Sequence, residues 1–120
     1  MTRLSNTSLA SVRAGVEVPK YDRSKVSTGI VHFGVGGFHR AHMAMALDDL
    51  MNQGKALDWG ICGVGLMEFD RKMKDALQGQ DCLYTLTLKH PDGRRDARVI
   101  GSIVEYLYAP DDAEAVIEKM

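Results

Sequence analysis

The chain has 120 residues, 45% of them apolar and 26% charged, with a formal net charge of −1. That length builds one domain with a real core, not a complete six-stranded α/β sheet plus a second domain. The small net charge argues against a generic nucleic-acid surface, and no apolar stretch is long enough to span a bilayer.

Residues 1–28 are polar and aperiodic and read as an extended arm. They include Pro19 and the stretch Tyr21-Asp22-Arg23-Ser24. The first sixteen residues hold Arg3, Arg13 and several serines but no acid. This faint transit-peptide pattern lacks a clear basic amphipathic helix, so a leader arm is the simpler reading. Ile30 to Gly34 predicts a first strand, buried on both faces. A single helix is expected from Phe38 to about Gln53. Only His42 is polar between Ala41 and Leu47, so most of that helix should be covered. Asn52-Gln53-Gly54 supplies its stop.

Trp59 to Leu66 reads as the second strand, rich in Val, Ile and Cys. Asp70 to Leu77 predicts a short helix ended by Gly79. Leu83 to Lys89 alternates, with Tyr84, Leu86 and Leu88 on one face. Pro91-Asp92-Gly93 is a turn, and Arg98 to Leu107 reads as the returning strand of a β-hairpin. Pro110 then opens a last helix, with Asp111 and Asp112 in its first turn. That helix runs on to Met120 without a stop signal, as if only half of the sheet were present. Cys62 and Cys82 have no C-x-x-C spacing. They read as buried thiols of a reducing, cytoplasmic setting.

The richest stretch is Ile30-Val31-His32-Phe33-Gly34-Val35-Gly36-Gly37-Phe38-His39-Arg40-Ala41-His42. A strand enters a glycine turn and leaves as a helix. Glycine allows the tight turn and lets backbone N–H groups approach phosphate, and a helix N-terminus favours an anion. Gly34 and Gly36 fit the first two positions of G-x-G-x-x-G, but His39 occupies the third. Glycines placed for sterics alone are the competing reading. Gly63-Val64-Gly65 is a second such stretch, but its sixth position is Glu68, whose charge opposes a pyrophosphate. Its glycines read as allowing close approach of a bound adenosine or a neighbouring helix.

An acid after the second strand would accept hydrogen bonds from an adenosine ribose and repel a 2′-phosphate. Glu68 and Asp70 are both candidates, and both fall later than the usual spacing of about 20 residues. Asp70 could instead cap the helix beginning at Arg71. Arg71 and Lys72 could receive a 2′-phosphate. His39 and His42 share a helix face, with His32 before them, but no carboxylate completes a zinc pattern, so no metal site is assigned. His39 and Arg40 read as lying at the cofactor end, with His42 packing or hydrogen-bonding. Arg40 could pair with a phosphate oxygen.

Val31 to His42 closely resembles the N-terminal signature of the polyol-specific long-chain dehydrogenase/reductases. The likeness continues through Leu57 to Leu66, Asp70-Arg71-Lys72, Gln80-Asp81, Tyr84-Thr85-Leu86 and Val99 to Ile103. It extends back to Val18-Pro19-Lys20-Tyr21-Asp22. The resemblance implies an α/β fold: the N-terminal part of a Rossmann-type dinucleotide-binding domain over 29–120, with an added β-hairpin. It implies NAD as cofactor, bound by Gly34, Val35, Gly36, Gly37, Phe38, His39, Arg40 and Asp70. Phe69 stands where a second acid can occur, which leaves open how strictly NADP is refused. It further implies metal-independent hydride transfer between a polyol and nicotinamide, using a lysine acid/base and asparagines. Those residues have no counterpart before Met120, so no catalytic residue is assigned and the 120 residues alone are expected to be inactive. The alternative is a nucleotide-binding or interaction module without catalysis.

Overall fold

The computed structural model describes residues 4–6, 8–9 and 15–120. Arg3 and Arg13, on which the transit-peptide pattern rests, lie outside them. Three parallel strands form the main sheet: β1 (Thr28–Phe33), β2 (Gly60–Gly65) and β5 (Ile103–Tyr108), in the spatial order β1-β2-β5. An antiparallel pair, β3 (Tyr84–Lys89) and β4 (Arg95–Ile100), stands apart as a second sheet. The helices are α1 (Gly37–Ala41), α2 (Met43–Asn52), α3 (Arg71–Gln78) and α4 (Ala113–Lys119).

The strand buried along its whole length is β2, not β1. The reason is position. β2 lies between β1 and β5, whereas among the described residues β1 pairs only with β2. Along β2, Gly63 and Gly65 stand against Tyr106, which leaves room for that ring beneath the strand. The core gathers Val35, Ala44, Ile61, Leu77, Tyr84, Ile100, Ile103 and Tyr106. It therefore draws on both the parallel sheet and the hairpin. Burying each of the Val, Leu and Ile side chains among them is worth about 1.5–3 kcal/mol.

The long first helix is two helices. His42, at φ −121° and ψ −75°, breaks the path between α1 and α2. The expectation that most of the helix is covered is also corrected: Ala44, Asp48 and Met51 are buried, while Met43 and Leu50 are exposed. Spacing of four and three residues puts the buried set on one stripe.

The hairpin is shorter than expected, and its return strand starts earlier, at Arg95. Lys89 pairs with Arg95, and Gly93 takes φ +90° in the turn between them. The expected return strand, Arg98 to Leu107, is divided at Gly101-Ser102. The first part pairs with β3, and the second crosses to the parallel sheet. A Cβ on Gly101 would lie 2.8 Å from both Pro19 Cγ and Tyr21 Oη, so a side chain there has no room. The Ser102 hydroxyl is buried and donates to the Ala44 carbonyl at 2.6 Å. The last helix also begins later than Pro110. Asp112 is its N-cap and accepts from the Ala115 amide.

The described part of the arm is pinned to the domain. Glu17 bridges Arg98 of β4. Arg23 donates to the carbonyls of Gly101 at 3.0 Å and Ile103 at 2.8 Å. A short 3-10 turn at Arg23–Lys25, capped by Asp22, was not foreseen.

The centre of this attachment is Asp48, 1% exposed on α2. It accepts from Tyr21 Oη at 2.6 Å, the Gly101 amide at 3.0 Å, Asn52 and Arg98. Arg98 also pairs with Asp49. A buried carboxylate is tolerable only with this many donors. The Tyr21 phenol, desolvated and beside Asp48, is held protonated far above its ordinary range.

Candidate nucleotide-binding site

β1 ends at Phe33, and Gly34 turns the chain at φ +88°, a conformation that side chains rarely adopt. The Gly34 amide is already spent, donating to the Val64 carbonyl at 2.7 Å. Val35 points inward and is 6% exposed. Gly36 caps α1, and the first helical bond runs from the Arg40 amide to the Gly36 carbonyl at 3.0 Å. The amides of Gly37, Phe38 and His39 precede that bond, so the helix leaves them without an internal partner.

A Cβ built on Gly34 or Gly36 meets no atom of the described residues within 4 Å. The protein's own packing therefore does not demand glycine at position 36. Gly63 and Gly65 are the opposite case. A Cβ on Gly63 would lie 2.5 Å from Val35 Cγ2, and one on Gly65 would collide with Tyr106 and sit 2.9 Å from Asp70 Cβ. The close approach at the second stretch is thus supplied by a β5 tyrosine, by the first turn and by Asp70 at the head of α3.

A cleft of about 510 Å³ opens above these strand ends. Gly34, Val35 and Gly36 line one side, and Leu66, Met67, Phe69, Asp70 and Lys72 line the other. Gly37, Phe38, His39 and Arg40 stand outside this lining. Phe38 is 81% exposed, while Arg40 folds back, its Nε 3.3 Å from the Gly36 carbonyl. Phe33, Leu66, Met67 and Phe69 give the cleft an exposed apolar rim.

Asp70 resolves the cap question unexpectedly. Its backbone begins α3, but its carboxylate makes no bond to that helix. Instead, Oδ2 accepts from the amides of Leu66 and Met67, both at 3.1 Å. The acid is clamped against the exit of β2, at the cleft. Glu68 does not line the cleft; its carbonyl accepts from Tyr108 Oη. Of the two cations, Arg71 is engaged by Asp111 at 3.3 Å and lies over the Tyr108 ring. Lys72 lines the cleft.

His39 is buried and stacked on His32, with ring centroids 3.8 Å apart. Neither of its ring nitrogens has a partner among the described residues. Burial lowers its pKa to about 4, helped by His32 and Arg40, so the ring is neutral at pH 7. His42 stacks on Phe38 at 4.3 Å. Sequence reasoning missed the tyrosines beneath this region. Tyr106 fills the space under Gly63 and Gly65, and Tyr84 reaches from the hairpin to the Arg40 carbonyl at 2.7 Å. Their signal was a phenol on an otherwise apolar strand face, which needs a buried partner.

Parallel strands joined through helices, a glycine turn over the end of the first and a clamped carboxylate beyond the second define a Rossmann-type dinucleotide-binding fold. Residues 28–120 match the mannitol dehydrogenase Rossmann domain, and the chain belongs to the mannitol dehydrogenase family. Among curated relatives, it is 54% identical to a mannitol 2-dehydrogenase of Pyrenophora tritici-repentis, covering 98% of this chain and 20% of that protein. It is 50% identical to mannitol dehydrogenase 2 of Saccharomyces cerevisiae, covering 99% and 24%. The Pseudomonas fluorescens mannitol 2-dehydrogenase, solved as a ternary complex with NAD and D-mannitol, superposes with a TM-score of 0.93 at 47% identity. That match covers 98% of this chain and 24% of the other. A substrate-free D-sorbitol dehydrogenase gives 0.89 at 42% identity, with the same coverage. The chain thus spans about a fifth to a quarter of the proteins it matches.

Proposed function

We propose that this chain forms the N-terminal cofactor-binding part of an NAD-dependent polyol dehydrogenase of the mannitol 2-dehydrogenase type, interconverting D-mannitol and D-fructose. The observation that carries the reading is the cleft. Gly36 keeps an open approach where no atom of the described residues requires it, and Asp70 faces it from the end of the second strand. In this reading 29–120 is the partial cofactor domain and 1–28 the arm that braces it.

Gly34, Val35, Gly36, Gly37, Phe38, His39 and Arg40 shape the diphosphate site. The turn itself, with the amides of 37–39, faces the phosphates, and the Arg40 guanidinium supplies positive charge. Val35 and His39 contribute through their backbones, since their side chains are buried. Asp70 Oδ2 is fixed by two amides, so Oδ1 is the oxygen that accepts from an adenosine ribose hydroxyl. Its charge disfavours a 2′-phosphate, and Lys72 beside it tempers that refusal. The apolar rim suits the adenine face. When bound, NAD supplies the hydride acceptor. The polyol and the groups that move its proton are held outside these residues. Two buried free thiols fit a cytoplasmic setting.

The test uses the product of the whole reading frame with a panel of polyols and both nicotinamide cofactors. D-Mannitol oxidation with NAD is expected, with weaker use of NADP. Binding of NADH without turnover of any polyol would favour the non-catalytic module. No binding of either cofactor would end the reading.

A further inference from the structure

Several polar contacts of the β3–β4 hairpin and of the corner after it go to α1 and α2. Tyr84 donates to the Arg40 carbonyl, Arg98 pairs with Asp48 and Asp49, and beyond β4 the Gly101 amide and Ser102 hydroxyl reach α2. Of these, only Tyr84 touches the glycine turn's own helix. α1 ends at Ala41, so the Arg40 carbonyl belongs to its last turn, where carbonyls lack the usual ladder. The phenol meets it at 2.7 Å. The face of the same ring lies 6.0 Å from the Arg40 guanidinium, whose Nε reaches back to Gly36. One buried side chain thus holds both the backbone and the charge of Arg40. Tyr84 is 7% exposed, and burial keeps its hydroxyl protonated well above the ordinary range, so it remains a donor.

We propose that Tyr84 is a positioning residue for the diphosphate: through the Arg40 carbonyl and guanidinium, the hairpin sets the Gly36–Arg40 turn in its binding geometry. This rests on the reading of that turn as the diphosphate site. A purely structural tyrosine would stabilise the core without discriminating between ligands. A positioning tyrosine affects the ligand that touches the turn and spares one that does not.

The experiment compares Tyr84→Phe with wild type in the product of the whole reading frame, titrating NADH, ADP and adenosine. Tyr84→Phe should weaken NADH and ADP by about three- to tenfold, the range of one hydrogen bond, and leave adenosine within about twofold. In turnover, the KM for NAD should rise while kcat holds. Ser102→Ala, which removes the brace to α2, should lower the melting temperature and leave the ADP-to-adenosine ratio unchanged. 3-Fluorotyrosine at position 84 keeps a hydroxyl and should restore binding. Should Phe at position 84 prevent folding, 2,3-difluorotyrosine, a stronger donor, should change ADP affinity and not adenosine affinity. Equal effects on adenosine and ADP, or no effect on either, would overturn the proposal while leaving NADH binding by wild type intact. Failure of wild type to bind NADH would instead strike the functional reading beneath it.

Discussion

Gly34-Val35-Gly36 and Gly63-Val64-Gly65 sit at the carboxyl ends of neighbouring parallel strands, with the same spacing. The second stretch is packed shut: Val35 and Tyr106 occupy the space a side chain would need at Gly63, and Tyr106 and Asp70 do so at Gly65. The first is open: Gly34 needs glycine for its backbone angle, and nothing among the described residues requires it at Gly36. A glycine that its own protein does not require is the better pointer to a ligand, and the motif alone cannot tell the two apart.

Substitutions can break this contrast. The largest effect is expected at Gly65→Val, which drives a branched side chain into Tyr106 and Asp70 and should cost about 3 kcal/mol, read by chemical denaturation. A loss below about 1 kcal/mol would show that Tyr106 yields easily and that the stretch is not packed shut.

His39 tests the region beneath the open turn. Its folded pKa of about 4 lies below the ordinary 6.5. The unfolded chain therefore binds the proton first as pH falls, and stability is lost between about pH 6.5 and 4, amounting to about 2–3 kcal/mol. His39→Phe should remove that part of the pH dependence in thermal melts. Identical slopes for the two proteins would mean that the buried ring is not held neutral.

The smallest effect on folding belongs to Gly36→Val, expected within about 1 kcal/mol of wild type because the position is exposed. Its NADH affinity should nonetheless drop more than tenfold, since the main chain can no longer approach the phosphates. Unchanged affinity would remove the distinction between the two stretches.

Much of this contrast was legible from residue order. The glycine turn, the second strand and the carboxylate after it follow from apolar runs and punctuation, and the family signature from Val31 to His42 is long and specific. What escaped depends on contacts far apart in the chain. His42 looks helical by pattern, and only the fold shows the break there. The run from Arg98 to Leu107 reads as one strand, because nothing local says that Gly101 passes against Pro19 and Tyr21. Gly101-Ser102 inside an apolar run was the available signal for a bend. Asp70 was weighed as cap or ligand on spacing, and its actual hold on two preceding amides has no signature in sequence.

Asp48 carries a lesson for chimeras. Its donors come from the arm, from α2, from β4 and from the corner after β4. Grafting a hairpin or an arm from a relative therefore succeeds only when Tyr21, Asp48, Asn52 and Arg98 travel as one set, because losing Arg98 strands a buried charge and losing Tyr21 or Asn52 leaves the Asp48 carboxylate short of a donor.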